Sequence, residues 1–211
     1  MSDSAMRHSL EKIVLASGNA GKLAEIQQIL GPLGIDTIAQ SAFAIPEVDE
    51  PFDTFLENAL LKARHASRLS GLPALADDSG ICADALNGQP GVHSARYAGE
   101  PKSDARNNQM LVQALANTNN HAAHYYCVLV LVRHAADPRP LIADGIWHGQ
   151  IVEQPQGENG FGYDPHFFLP EFGKTAAELN PEQKNRLSHR GQALRRLAEF
   201  LGACTETIGY R

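Results

Sequence analysis

Four short segments of this 211-residue chain carry side chains that can do chemistry. Ser17-Gly18-Asn19-Ala20-Gly21-Lys22 joins an apolar run to an amphipathic one. Free N–H groups at a helix start, glycine that lets backbone come close, and a lysine make a cradle for phosphate. It is not a Walker A loop, because Ala16 and Leu23 stand where that motif has Gly and Ser or Thr. Asp77-Asp78-Ser79-Gly80 sets two carboxylates side by side. They repel, and burial adds a desolvation cost that a divalent cation offsets. An extended strand points them to opposite faces, so one of the pair is the expected direct ligand. Asp78, one acid from the loop holding Glu47, Asp49, Glu50 and Asp53, and several waters would suit Mg²⁺.

The third segment is Gly160-Phe161-Gly162-Tyr163-Asp164-Pro165. Glycines on either side of an aromatic admit a flat ligand, Phe161 can stack on a base, and Asp164 can hydrogen-bond its edge. The fourth is Lys184 with Ser188-His189-Arg190. In one straight helix His189 lies about 100° round from Ser188. A new helix starting at Ser188 gathers the group and favours anions at its N-terminus. Each segment has a plainer reading. These are a strand–helix turn with a solvated lysine, an Asp turn closing a strand, a hairpin with core aromatics, and a solvated basic helix. Taken alone, the third and fourth segments favour the plainer reading.

Elements must position these groups. Lys12–Ala16 reads as a buried strand, Lys22–Leu33 as a helix stopped by Gly34, and 35–39 as a second strand. Residues 41–52 form an acidic loop with two prolines. Thr54 and Glu57 have capping-box spacing for a helix to Ser70, stopped by Gly71. Asn58 and Lys62 lie one turn apart on it. Ser103 caps a helix to Ala116; 125–134 and 141–152 are long strands, and 166–169 is a short one. Residues 175–179 make a helical turn, and the chain is then helical to Leu201 with a break near Ser188. Interleaved helices and strands define an α/β fold with a mixed sheet.

Composition narrows the function classes. Hydrophobic residues are 43% and charged residues 20%, so a sizeable core is available. Net charge −6 argues against a whole-protein nucleic-acid surface but leaves room for a local anion site. No apolar run approaches the roughly 18 residues of a membrane span, and residues 1–10 read as a polar leader without a signal-peptide core. Three scattered cysteines fit a reducing cytoplasm rather than a disulfide scaffold or zinc site.

In this order SGNAGK (17–22), TFLENALLKA (54–63), ADDSG (76–80), GVHSARYAG (91–99), GFGYDP (160–165) and SHRGQAL (188–194) resemble the inosine triphosphate pyrophosphatase family, nearest its bacterial dITP/XTP branch. The resemblance spans about residues 12–201. It implies hydrolysis of deaminated purine nucleoside triphosphates (ITP, dITP, XTP) to monophosphate and pyrophosphate. It further implies a Mg²⁺ requirement, a cytoplasmic homodimer, and a single elongated α/β domain over 1–211 whose two lobes flank a cleft. Carried over by position, Ser17, Gly18, Asn19, Ala20, Gly21 and Lys22 bind phosphates and sugar. Asp78 is metal ligand and proton acceptor, and Lys62 supports the triphosphate. Ser79, Phe161, Gly162, Tyr163, Asp164, Lys184, His189 and Arg190 contact the nucleotide. Asp49 is the second metal ligand by this match, with Glu50 and Glu47 as alternatives because the loop reads Glu47-Val48-Asp49-Glu50.

Overall fold

The computed structural model describes residues 10–18 and 20–206, so most of the expected leader and Asn19 lie outside the described residues. Seven strands form one mixed sheet in the order β2-β1-β3-β4-β5-β6-β7. They are β1 Lys12–Leu15, β2 Asp36–Ala39, β3 Ala74–Ala83, β4 Ala122–Val132, β5 Leu141–Ile151, β6 Phe167–Leu169 and β7 Lys174–Thr175. β1 runs parallel to β2 and β3, while β6 is antiparallel to β5 and β7. The helices are α1 Ala20–Leu30, α2 Phe55–Ser70, α3 Asp104–Leu115, α4 Pro181–Leu187 and α5 His189–Glu206. This is the expected mixed α/β architecture.

The chain divides into two compact units. The first comprises 1–78, 128–144 and 193–211, the second 79–127 and 145–192. In the first, α2 packs on β1. Ala59, Ala63 and Ala66 recur at helical spacing and are fully buried, so small side chains let helix and strand approach. Its boundaries follow the sequence signals. The Thr54 side chain accepts the Glu57 N–H at 3.2 Å, and Gly71 closes the helix with φ 71°. α1 departs from expectation by ending at Leu30, with Gly31–Leu33 winding into a tighter 3₁₀ turn. Pro32 has no N–H and disfavours helical geometry at Gly31, which ends the α-helical ladder.

The second unit buries Ile81, Leu111, Tyr125, Trp147, Tyr163 and Phe167 in one core. Tyr125 meets Phe167 edge-on at 4.7 Å, and Phe167 meets Trp147 at 5.4 Å. β7 carries no sequence signal, because two residues have no period. The expected turn follows it as a 3₁₀ segment, with a capping box between Thr175 and Glu178.

Candidate active site

In the first unit β3 carries both aspartates within a strand rather than in a turn after one. Alternation separates their partners. Lys22 on α1 grips both oxygens of Asp77 at 3.0 and 2.9 Å, and Lys62 on α2 reaches Asp78 Oδ1 at 3.3 Å. The same Lys62 ammonium lies 2.5 Å from Glu50 Oε1. The acidic loop is tied to α2. Buried Asn58 exchanges two 3.1 Å hydrogen bonds with the Phe52 backbone, and the His65 ring meets Pro46 O at 3.1 Å. Gly18 faces this loop, since a Cβ there would stand 3.5 Å from Glu47 Oε1. Glu47 and Asp49 are exposed, whereas Glu50 is half-buried beside Lys62. Glu50 therefore shares the Lys62 ammonium with Asp78.

Charge is crowded here. Burial pushes the Asp78 carboxyl up to about 6; Lys62 opposes the shift, while Glu50 and Asp77 add to it. Burial works against the Lys62 charge, but Asp78, Asp77 and Glu50 outweigh it and raise its pKa. Among the described residues no three His, Cys, Asp or Glu side chains form a ready metal cage. Two neighbouring carboxylates with hard oxygen donors suit a cation that takes one or two protein oxygens and completes its shell with water and phosphate. Mg²⁺ is such a cation.

In the second unit the expected helix break is real. Ser188 is extended (φ −65°, ψ 157°) between α4 and α5, and its hydroxyl accepts the Gly191 N–H at 3.1 Å. α4 opens with a capping box between Asn180 and Gln183. Lys184 lies in its last turn, 2.5 Å from Asp164 Oδ2 and 4.6 Å from the Phe161 ring centroid. Asp164 is 3% exposed. It also accepts the Phe161 N–H at 2.8 Å and the Tyr125 hydroxyl at 3.3 Å. Burial and then Asp164 push Tyr125 well above the ordinary phenol range, so it stays a donor. Gly160 has φ 81°, and a Cβ there would overlap the Asp164 carboxylate. His189 stacks on Tyr125 at 4.7 Å with planes 5° apart, and Arg190 donates to Ser79 Oγ at 3.3 Å.

The two aromatics of the glycine-rich segment part company. Phe161 is 55% exposed, an open stacking face. Tyr163 is buried, and its hydroxyl donates to Ser94 O at 2.7 Å. Ser94 in turn accepts the Ile81 N–H at 2.9 Å, so Tyr163 anchors the end of β3. Ser17 and Gly18 precede α1, and Ala20, Gly21 and Lys22 lie in its first turn. Tyr125 was not legible as a site neighbour. It lies in an apolar strand, and its two partners are 39 and 64 residues away in the chain.

A mixed-sheet α/β chain whose buried Asp77, Asp78 and Asp164 each meet a lysine carried on a helix, one of them at the helix start, belongs to the class of phosphate-handling α/β proteins. Residues 13–200 match the Ham1 family, and the chain belongs to it. It is 63% identical over 199 residues to a dITP/XTP pyrophosphatase of Nitrosomonas europaea, covering 94% of this chain and 98% of that protein. It is 65% identical over 186 residues to one of Aromatoleum aromaticum, covering 88% and 94%. A HAM1 protein from Coxiella burnetii superposes with TM-score 0.88 at 50% identity, over 91% of this chain and 98% of that one. The resemblance drawn from the six segments is thereby borne out.

Proposed function

We propose that this chain hydrolyses deaminated purine nucleoside triphosphates (ITP, dITP and XTP) to the monophosphate and pyrophosphate, clearing them before incorporation into nucleic acid. One observation carries the reading: a buried carboxylate, Asp78, lies 3.3 Å from the Lys62 ammonium that it shares with Glu50, so a proton acceptor for water stands beside a cation for phosphate. The relatives' names support the substrate class. Lys22, Lys62 and the N–H groups opening α1 offset the charge of the triphosphate. Asp78 takes a proton from the attacking water as the new O–Pα bond forms. The Pα–O bond to the β-phosphate breaks, and pyrophosphate leaves with the electron pair.

Asp78 and Glu50 are the residues to hold Mg²⁺, with Asp49 the exposed alternative. The ion supplies Lewis-acid stabilisation of phosphate charge when bound. Phe161 offers its exposed ring to the base, and N–H groups of His189 and Arg190 donate to the 6-keto oxygen. A 6-amino group there meets donor against donor, at about 1–3 kcal/mol or one to two decades. The protein works in the cytoplasm as a homodimer, without a nucleic-acid or membrane partner. Ile142 and Ile146, 44% and 39% exposed on one face of β5, support a protein contact there. Among the described residues no helix is long and apolar enough to cross a membrane.

Pyrophosphate release with Mg²⁺ from ITP, XTP, GTP and ATP tests the reading. Fast release from ITP and XTP alone, lost in Asp78→Asn, is expected. Equal rates on all four remove the base discrimination, and no release removes the enzyme.

A further inference from the structure

The aromatic segment is held by a second set of residues, from a helix that the reaction does not otherwise use. Phe161 roots in two peptide groups. One donates its N–H, that of Phe161, to Asp164 Oδ2 at 2.8 Å. The next donates its N–H, that of Gly162, to Asp104 Oδ2 at 2.8 Å, from the first turn of α3. Fixing both peptide planes that flank one Cα fixes its backbone angles, and with them the root of the ring. Asn108, one turn along α3, donates to Gly162 O at 2.8 Å and to Asp104 O at 2.9 Å. Both of its acceptors are carbonyls, so the orientation of its amide is settled. Gly162 is thus held by both of its polar backbone groups, at φ 63°.

Packing cannot do this job alone. A cavity of about 640 Å³ lies along the segment, lined among others by Asp104, Asn108, Phe161, Gly162 and Pro165. Open space gives a ring no dispersion contacts on that side. The Lys184 ammonium, 4.6 Å from the ring centroid, and directed hydrogen bonds at its root are what remain to set it.

We propose that Asp104, with Asn108 beside it, is the positioning residue of the base-stacking loop: its carboxylate oxygen holds the Gly162 N–H and so aims Phe161 at the purine. The kinetic part rests on the function proposed above; the clamp itself does not. Asp104 is exposed, so its substitution leaves the core intact. An aspartate in a first helical turn also favours the helix dipole through its charge. Asparagine keeps the acceptor oxygen and drops the charge, which separates the two roles.

The test measures KM and kcat for ITP in wild type, Asp104→Ala and Asp104→Asn, with amide hydrogen exchange of the 160–163 segment in each. The expected result is a KM about five- to tenfold higher in Asp104→Ala, with kcat within about twofold and faster exchange of the segment. Asp104→Asn should restore both. A KM in Asp104→Ala within about twofold of wild type overturns the proposal, as does an asparagine variant as impaired as alanine. If wild type fails to turn over ITP, the proposed function falls and exchange decides the clamp. Unchanged protection in Asp104→Ala then overturns it, and lost protection upholds it.

Discussion

Glu50 and Asp78 face a single ammonium, with Lys62 Nζ 2.5 Å from one carboxylate and 3.3 Å from the other. Burial raises the Asp78 carboxyl to about 6, and Glu50, which shares its one ammonium, adds to the rise that Lys62 opposes. Because the folded value lies above the unfolded one of about 4, the native state binds the extra proton. This contribution is complete below about pH 4 and is lost as pH climbs through 6. In metal-stripped protein, Asp78→Asn should therefore match wild-type stability near pH 4 and exceed it by about 1–3 kcal/mol at pH 7, and with Mg²⁺ added the variant should not turn over. Urea unfolding at the two pH values checks it. A variant less stable than wild type at pH 7 would contradict the charge argument.

Asn58 holds the acidic loop through the Phe52 N–H and carbonyl. Asn58→Ala should cost about 1–3 kcal/mol, because both backbone groups lose a buried partner. Glu50 would lose its fixed place beside Lys62, so the Mg²⁺ concentration for half-maximal activity should rise by about tenfold. A Mg²⁺ titration identical to wild type would show that the loop positions no ligand.

Phe161 and Tyr163 should separate binding from stability. Phe161→Ala removes a half-exposed ring and should leave Tm nearly unchanged while raising KM for ITP by about tenfold or more. Tyr163→Phe deletes the hydroxyl that reaches Ser94 O, and should cost about 0.5–1.5 kcal/mol with little change in KM. Thermal melts and steady-state kinetics on both variants decide it; the opposite pattern would exchange their roles.

Asp137 is buried and closes the turn between β4 and β5. It accepts the Arg133 and Arg139 backbone N–H groups at 3.0 and 2.9 Å and pairs with the Arg133 guanidinium. Hydrogen bonding from that guanidinium holds its carboxyl far below the usual carboxylate range. The folded value is depressed, so this stabilisation is present above about pH 4 and is lost as pH falls further. Asp137→Asn should lower Tm at pH 7 and narrow the gap toward pH 3. A constant gap across that range would mean that the charge contributes nothing.

Sequence alone determined the parts that depend on neighbours in the chain. Thr54 with Glu57 named a helix start, Gly71 named a stop, and Ser188 named a break, since caps act within three or four residues. The alternation of Asp77 and Asp78 followed from strand geometry. Six segments in family order were enough to place the chain in its family. Tertiary structure decided what those segments meet. It set Glu50 rather than Asp49 against Lys62, turned Tyr163 inward and left Phe161 out, and brought Tyr125 under His189. It also laid Asp104 against Gly162, 58 residues along the chain. No local propensity records these contacts. They exist because a sheet and its helices close distances that the chain itself keeps long, and a side chain's partner is fixed only when that closure is complete.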